Sequence, residues 1–159
     1  MQTTPDPTIN AVTAFYTAFQ QKDWAAMTAM YHPEAQFKDG AFSLHSGKEA
    51  GAMWEMLIKS GKDLRIVFSD VKSDGNIGFA RWDAWYTFSK TGKPVHNIIY
   101  ARMEFKDGLI YRHTDHFNFW RWSRQALGLT GWLLGWTNFL QHKVQQTAMK
   151  NLHKFVNNH

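Results

Sequence analysis

The chain has 159 residues, 44% of them hydrophobic and 16% aromatic, which fits one folded domain with a sizeable core and excludes a disordered polymer. It contains no Cys, so disulfide scaffolds and thiolate zinc sites are excluded. The formal charge of +5 comes from scattered Lys and Arg rather than a basic run, which reads as a solvated surface and not as a nucleic-acid footprint.

Residues 1–7 read as a flexible tail. It lacks the basic region and apolar run of a signal peptide, and nowhere is there an apolar run long enough to span a bilayer, so the expected location is cytoplasmic. A first helix is predicted over Thr8–Gln21, from Ile9, Val12, Phe15/Tyr16 and Phe19 at helical spacing with Thr8 as cap. A second begins near Asp23 and ends before Pro33, since the residue preceding Pro resists helical angles. Short extended pieces follow at Glu34–Asp39 and Ala41–His45. Ser46-Gly-Lys-Glu49 is a capping box, opening a third helix with Ala50, Met53, Trp54, Leu57 and Ile58 on one stripe and Ser60-Gly61 at its end.

Four strands are then predicted at about Leu64–Val71, Ile77–Ser89, Val95–Phe105 and Leu109–Phe119, linked by the turn signals SDGN, KTGKP and KDG. Three helices followed by a twisted sheet imply an α+β domain. Trp120–His159 reads as helical, broken by Gly128, Gly131 and Gly135, with a last helix over about Asn138–Val156.

Strand periodicity puts Arg81, Asp83 and Trp85 on one face of the second long strand, and Trp82, Tyr86 and Phe88 on the other. On the last strand it groups Tyr111, His113, Asp115, Phe117 and Phe119. Buried charges need partners, so the expectation is that Arg81, Asp83 and Asp115 meet at the floor of an aromatic pocket lined by Tyr16, Phe37, Trp54, Trp85, His113 and Phe117.

The helix AFYTAFQQKDW, the segment YHPEAQFKD, the helix start SGKEA and the strand IYRHTDHF resemble the nuclear transport factor 2-like superfamily and, within it, the SnoaL-like proteins. The resemblance covers residues 8–120. It implies a cone-shaped, curved antiparallel or mixed sheet wrapped around the N-terminal helices, with residues 121–159 as an added helical extension packing on the domain or on a dimer partner. It also implies a homodimer through the outer face of the sheet.

Two families within it can be matched position by position. Limonene-1,2-epoxide hydrolases carry Arg-x-Asp on one strand and Asp on the last. By that resemblance Asp115 is the base for a water, Asp83 the acid and Arg81 the bridge between them, one carboxylate being charged and the other protonated. The Tyr and Asn that seat the water in that family fall at Phe37 and Asp39. In ketosteroid isomerases, a worked case of pKa tuning, the general base falls at Asp39 and the oxyanion donors at Phe15 and Ala101. Tyr16 is adjacent but about 100° around the helix, which argues against steroid-type isomerisation.

Other readings stand beside these. Arg81, Asp83 and Asp115 also suit a structural ion network, and Asp39 also suits a cap on the turn at Gly40. His113 with Asp115 has no third ligand by spacing, so no metal is assigned, and no organic cofactor is implied. The cationic C-terminal helices fit a pocket lid or dimer contact better than an interfacial membrane helix. The functional expectation is acid–base hydrolysis or isomerisation of a small hydrophobic oxygenated molecule. The alternative is a non-catalytic binding or interaction protein of the same fold. Nucleic acid and stable membrane insertion are not expected.

Overall fold

A computed structural model describes residues 5–158; residues 1–4 of the expected tail lie outside them. Helix α1 (Pro7–Gln20) is capped by Asp6, whose carboxylate accepts from the N–H of Thr8 and Ile9 at 2.8 and 3.1 Å. Asp6 thus takes the role expected of Thr8. Pro7 follows at the first helical position, where no N–H is needed, and the Thr8 hydroxyl donates to the Gly75 carbonyl instead. Asp23 caps the short α2 (Trp24–Ala29).

The chain then enters β1 (Tyr31–Lys38) and β2 (Ser43–Leu44). Ser46 opens α3 (Gly47–Ser60), its hydroxyl accepting from the Glu49 N–H while the Glu49 carboxylate reaches back to the His45 N–H. The long strands β3 (Arg65–Asp74), β4 (Ile77–Phe88), β5 (Lys93–Lys106) and β6 (Leu109–Phe117) form the predicted antiparallel run. The sheet order is β2-β1-β6-β5-β4-β3, and β1 joins β6 in parallel, so the sheet is mixed.

Register assigns the faces. Ala80, Ala101 and Asp115 lie side by side across β4, β5 and β6, as do Trp82, Ile99 and Phe117. This inner face curls over α1 and α3, and their rings interlock beneath it. Phe19 meets Trp54 and Trp82 at 4.9 and 5.2 Å between centroids, and Phe37 meets Trp54 at 5.7 Å, all edge to face. Such pairs add about 0.5–1.5 kcal/mol each beyond the area they bury. On the outer face stand Arg81, Tyr100 and His116 in one row, with Asp83 beside Ile98.

One bulge changes a predicted face. Glu104 pairs with Arg112, but Phe105 pairs with Ile110, leaving Tyr111 as the extra residue. Alternation flips there, so Ile110 is buried and Tyr111 turns outward toward His32 and Lys106. Tyr111 therefore does not share the face of His113 and Asp115, and Phe119 belongs to the next helix.

That helix, α4 (Phe119–Leu127), lies across the open end of the cone: Trp122 and Ala126 pack with Val95, Tyr86, Phe88 and Phe117. The Gln125 side-chain amide accepts from the His96 N–H at 2.7 Å and donates to the His96 carbonyl at 3.2 Å, extending the β5 ladder past the end of β6. Next come α5 (Leu129–Leu134) and α6 (Asn138–Asn157), with Leu152 of α6 in the main core. Gly131 was expected to break the helix. It lies inside α5, where a Cβ would collide with the Ser123 carbonyl, and its bareness is what lets α5 press against α4. Gly131→Val is expected to cost about 1–3 kcal/mol through overpacking, lowering the melting temperature by several degrees in calorimetry.

Candidate functional site

β6 turns two adjacent inward side chains, His113 and Asp115, into the enclosed end of the cone, where they are 1% and 3% exposed. His113 Nε2 lies 2.8 Å from Asp115 Oδ1, and His113 Nδ1 lies 2.8 Å from the Tyr31 hydroxyl. The Tyr31 oxygen also accepts from the Trp54 indole N–H at 2.9 Å. Because the indole can only donate, the single Tyr31 proton is free to go on to His113 Nδ1. His113 then carries its hydrogen on Nε2 and donates it to Asp115. The other arrangement would strand a buried hydroxyl proton, at a cost of about 1–3 kcal/mol. The relay therefore points the Nε2 hydrogen at Asp115, the acceptor at its end.

Rings enclose the relay. Phe37 and Phe15 meet His113 edge on at 4.9 and 5.8 Å, and Trp54 stacks on it at 6.2 Å. Tyr16 is fully buried 6.2 Å from Trp82. Neither the Tyr16 hydroxyl nor the Trp82 indole N–H has a hydrogen-bond partner among the described residues. Burial, with the Asp115 charge adding to it, holds the Tyr16 phenol well above its usual range. Burial likewise raises Tyr31, partly opposed by the Trp54 N–H.

Asp39 sits where β1 gives way to the turn at Gly40. Its Oδ1 accepts from the N–H of Ala41 and Phe42, both at 2.7 Å, so it does cap the turn. Burial pushes its carboxyl up to about 6 against the pull of those two N–H groups, and the Asp115 charge adds to the rise.

The expected meeting of Arg81, Asp83 and Asp115 does not occur. Arg81 and Asp83 share the outer face with Trp85, and Asp115 lies on the inner one; the intervening sheet separates them. Arg81 grips Asp83 with two bonds of 2.9 and 3.1 Å, and His96 Nε2 approaches the second Asp83 oxygen at 2.8 Å. The Arg81 guanidinium chiefly, then His96, holds the Asp83 carboxyl below its ordinary value. Trp85 is not a pocket residue either: it stacks on His96 at 4.4 Å and carries the Arg65 guanidinium on its ring.

The interior thus gathers Tyr16, Phe37, Trp54, His113 and Asp115, with Phe117 on the same face nearer α4. The predicted aromatic pocket is filled by rings. A hollow of about 590 Å³ opens away from the relay, beside Asn97, Ile98, Tyr100 and His116, and of the predicted lining residues Phe117 borders it. Sequence reading missed Tyr31 and Trp82 as site residues. Helical spacing places Tyr31 on the second helix, but that helix ends at Ala29 and Tyr31 opens β1, whose pairing register shifts through Pro33. Trp82 was assigned the face opposite Arg81, which is the face that turns inward. His113 and Asp115 bond one another rather than converging with a third ligand, and no group of three or more metal-binding side chains occurs among the described residues.

A mixed sheet coiled around two helices, with a held carboxylate at its enclosed end, defines a cone-fold α+β protein of the nuclear transport factor 2-like kind. The SnoaL-like domain family matches residues 12–113, and the chain belongs to it. Among solved structures it is similar to an LEH-like epoxide hydrolase from M. tuberculosis, with 17% identity and a TM-score of 0.62 over 80% of this chain and 96% of that one. It is similar also to a candidate polyketide cyclase from Xanthomonas campestris pv. campestris, with 19% identity and a TM-score of 0.64 over 75% and 96% of the two chains. A third is TerC co-crystallized with polyporic acid, with 16% identity and a TM-score of 0.59 over 70% and 92%. No curated protein sequence matches the chain.

Two outcomes follow from this site. Tyr31→Phe leaves the Trp54 N–H and His113 Nδ1 unpaired, at about 1–3 kcal/mol for each buried group, and should appear as a lower urea midpoint. The raised Asp39 pKa has a definite sign: its stabilising contribution is complete below about pH 4 and is lost as pH rises through about 6. Asp83, held low, acts in the opposite sense and only at more acidic pH. Asp39→Asn keeps an oxygen for the turn and should remove the loss of thermal stability between pH 4.5 and 7.5.

Proposed function

We propose that the chain is an acid–base enzyme acting on a compact hydrophobic molecule with an enolisable carbonyl. The observation that carries this reading is a carboxylate anchored by the Tyr31–His113 relay, in the same apolar shell as two buried donors without partners among the described residues. Asp115 takes a proton from the carbon next to the carbonyl, and the electron pair of that C–H bond moves onto the carbonyl oxygen. The Tyr16 hydroxyl, one helical residue from the ketosteroid isomerase position but buried and within reach of the Asp115 charge, and the Trp82 N–H then receive the developing negative charge, as fixed donors in a dry site do. Return of the proton to another carbon gives an isomer; attack of the carbanion on a second carbonyl gives ring closure.

His113 is a positioning residue, since its acceptor nitrogen is engaged by Tyr31. Asp39, with a pKa of about 6, is an auxiliary proton carrier near neutral pH. The epoxide-hydrolase assignment of Arg81 and Asp83 is not kept, because these two belong to the outer face. Substrate reaches the interior by displacing α4, which is held there by the 2.7 Å bond from the Trp122 N–H to the Tyr86 hydroxyl. Dimerisation through the outer face remains part of the proposal, supported by the exposed Phe79 and Tyr100 there.

A second reading, a non-catalytic protein of the same fold, is favoured by the dense filling of the cone with rings. Deuterium incorporation into a panel of enolisable ketones, with a parallel panel of epoxides, separates the two. Asp115→Asn should lower exchange by roughly a hundredfold or more while the fold persists. Exchange unaffected by that substitution, or binding with no exchange in any ketone, would sink the catalytic proposal.

A further inference from the structure

The C-terminal segment carries a surface that the proposed chemistry does not use. Leu129, Trp132, Leu133, Leu134, Trp136 and Phe139 project from α5, the turn after it and the first turn of α6. Leu129 is 74% exposed and Trp136 73%. Solvent-facing apolar side chains in such density mark a surface that meets something. The packing that exposes them is built in: the bare backbones of Gly131 and Gly135 press against Ser123, so α5 turns its large side chains away from the domain.

Charge sorts with them. Residues 116–159 hold Arg121, Arg124, Lys143, Lys150 and Lys154 and no Asp or Glu, whereas residues 1–115 balance to zero. The whole formal charge of +5 therefore sits in this segment. Arg124 lies over the rings of Trp120 and Trp132, and Lys143 lies 6.0 Å from the Phe139 centroid. On α6, Phe139, Lys143, Lys150 and Lys154 recur along one exposed stripe, opposite the buried Leu152.

We propose that this surface docks on an anionic phospholipid bilayer, with Trp132, Leu133, Trp136 and Phe139 entering the headgroup region and the α6 lysines lying over the phosphates. Trp and Leu beside Lys and Arg is the composition of an interfacial element. No described helix is long and apolar enough to cross a membrane, so the contact is peripheral. A second copy is the poorer occupant: a symmetric contact would set the same cations against each other, with no carboxylate in residues 116–159 to meet them.

The test is flotation of the full chain with vesicles of phosphatidylcholine alone and of phosphatidylcholine containing one third phosphatidylglycerol. Binding is expected only to the anionic vesicles, weakening with salt and accompanied by a blue shift of Trp emission. The double variant Leu133→Ser/Trp136→Ser and the double variant Lys143→Gln/Lys150→Gln alter exposed side chains only, and circular dichroism checks that each is folded. Each should lower partitioning by roughly tenfold or more. Failure to float with anionic vesicles, equal binding to both compositions, or binding indifferent to both variants would overturn the proposal. So would a dimer, seen by sedimentation, that the Leu133→Ser/Trp136→Ser variant dissolves, since a second copy would then cover the patch.

Discussion

The interior of this protein is organised by one line of hydrogen bonds running from Trp54 through Tyr31 and His113 to Asp115. Each group in it is buried, and each would be costly to bury alone. The line joins α3, the start of β1 and the inner face of β6, so it also fixes how helix and sheet meet. Its direction matters as much as its existence. A donor-only indole at one end and an acceptor at the other leave one arrangement of protons that satisfies every member.

That polarity decides which group has chemistry to offer. His113 spends both ring nitrogens inside the relay. Asp115, at its terminus, is held in orientation within the packed rings, where the Tyr16 hydroxyl and the Trp82 N–H have no hydrogen-bond partner among the described residues. The outer face of the same sheet shows a different use of charge. Arg81, Asp83 and His96 satisfy one another there, partly wetted, beside the stack of Arg65, Trp85 and His96. A strand two residues out of phase would change nothing in this contrast; one residue out of phase would exchange the two clusters.

Alternation along β4 and β6 was readable from the sequence, as were the capping of α3 and the hairpin turns, because these depend on neighbours in the chain. The resemblance to a cone fold rested on several such local signatures together. Which face turns inward was not readable from alternation alone, for both faces of β4 carry aromatic rings. The choice is made by α1 and α3, whose Phe15, Tyr16, Phe19 and Trp54 need Trp82 and find it on the face away from Arg81. Tyr31 escaped notice for a related reason: its partners come from residues 23 and 82 positions away.

The amide of Gln125 has a wider bearing than its two bonds suggest. It stands in for a missing strand beside His96, whose ring meanwhile joins the Arg81 and Asp83 group behind the sheet. Lifting α4 would bare a stretch of unsatisfied backbone at a sheet rim, the kind of border along which chains adhere to one another. If substrate enters by the route proposed above, its admission and the protection against clumping are governed by a single latch, and the time it spends unfastened is bounded by both.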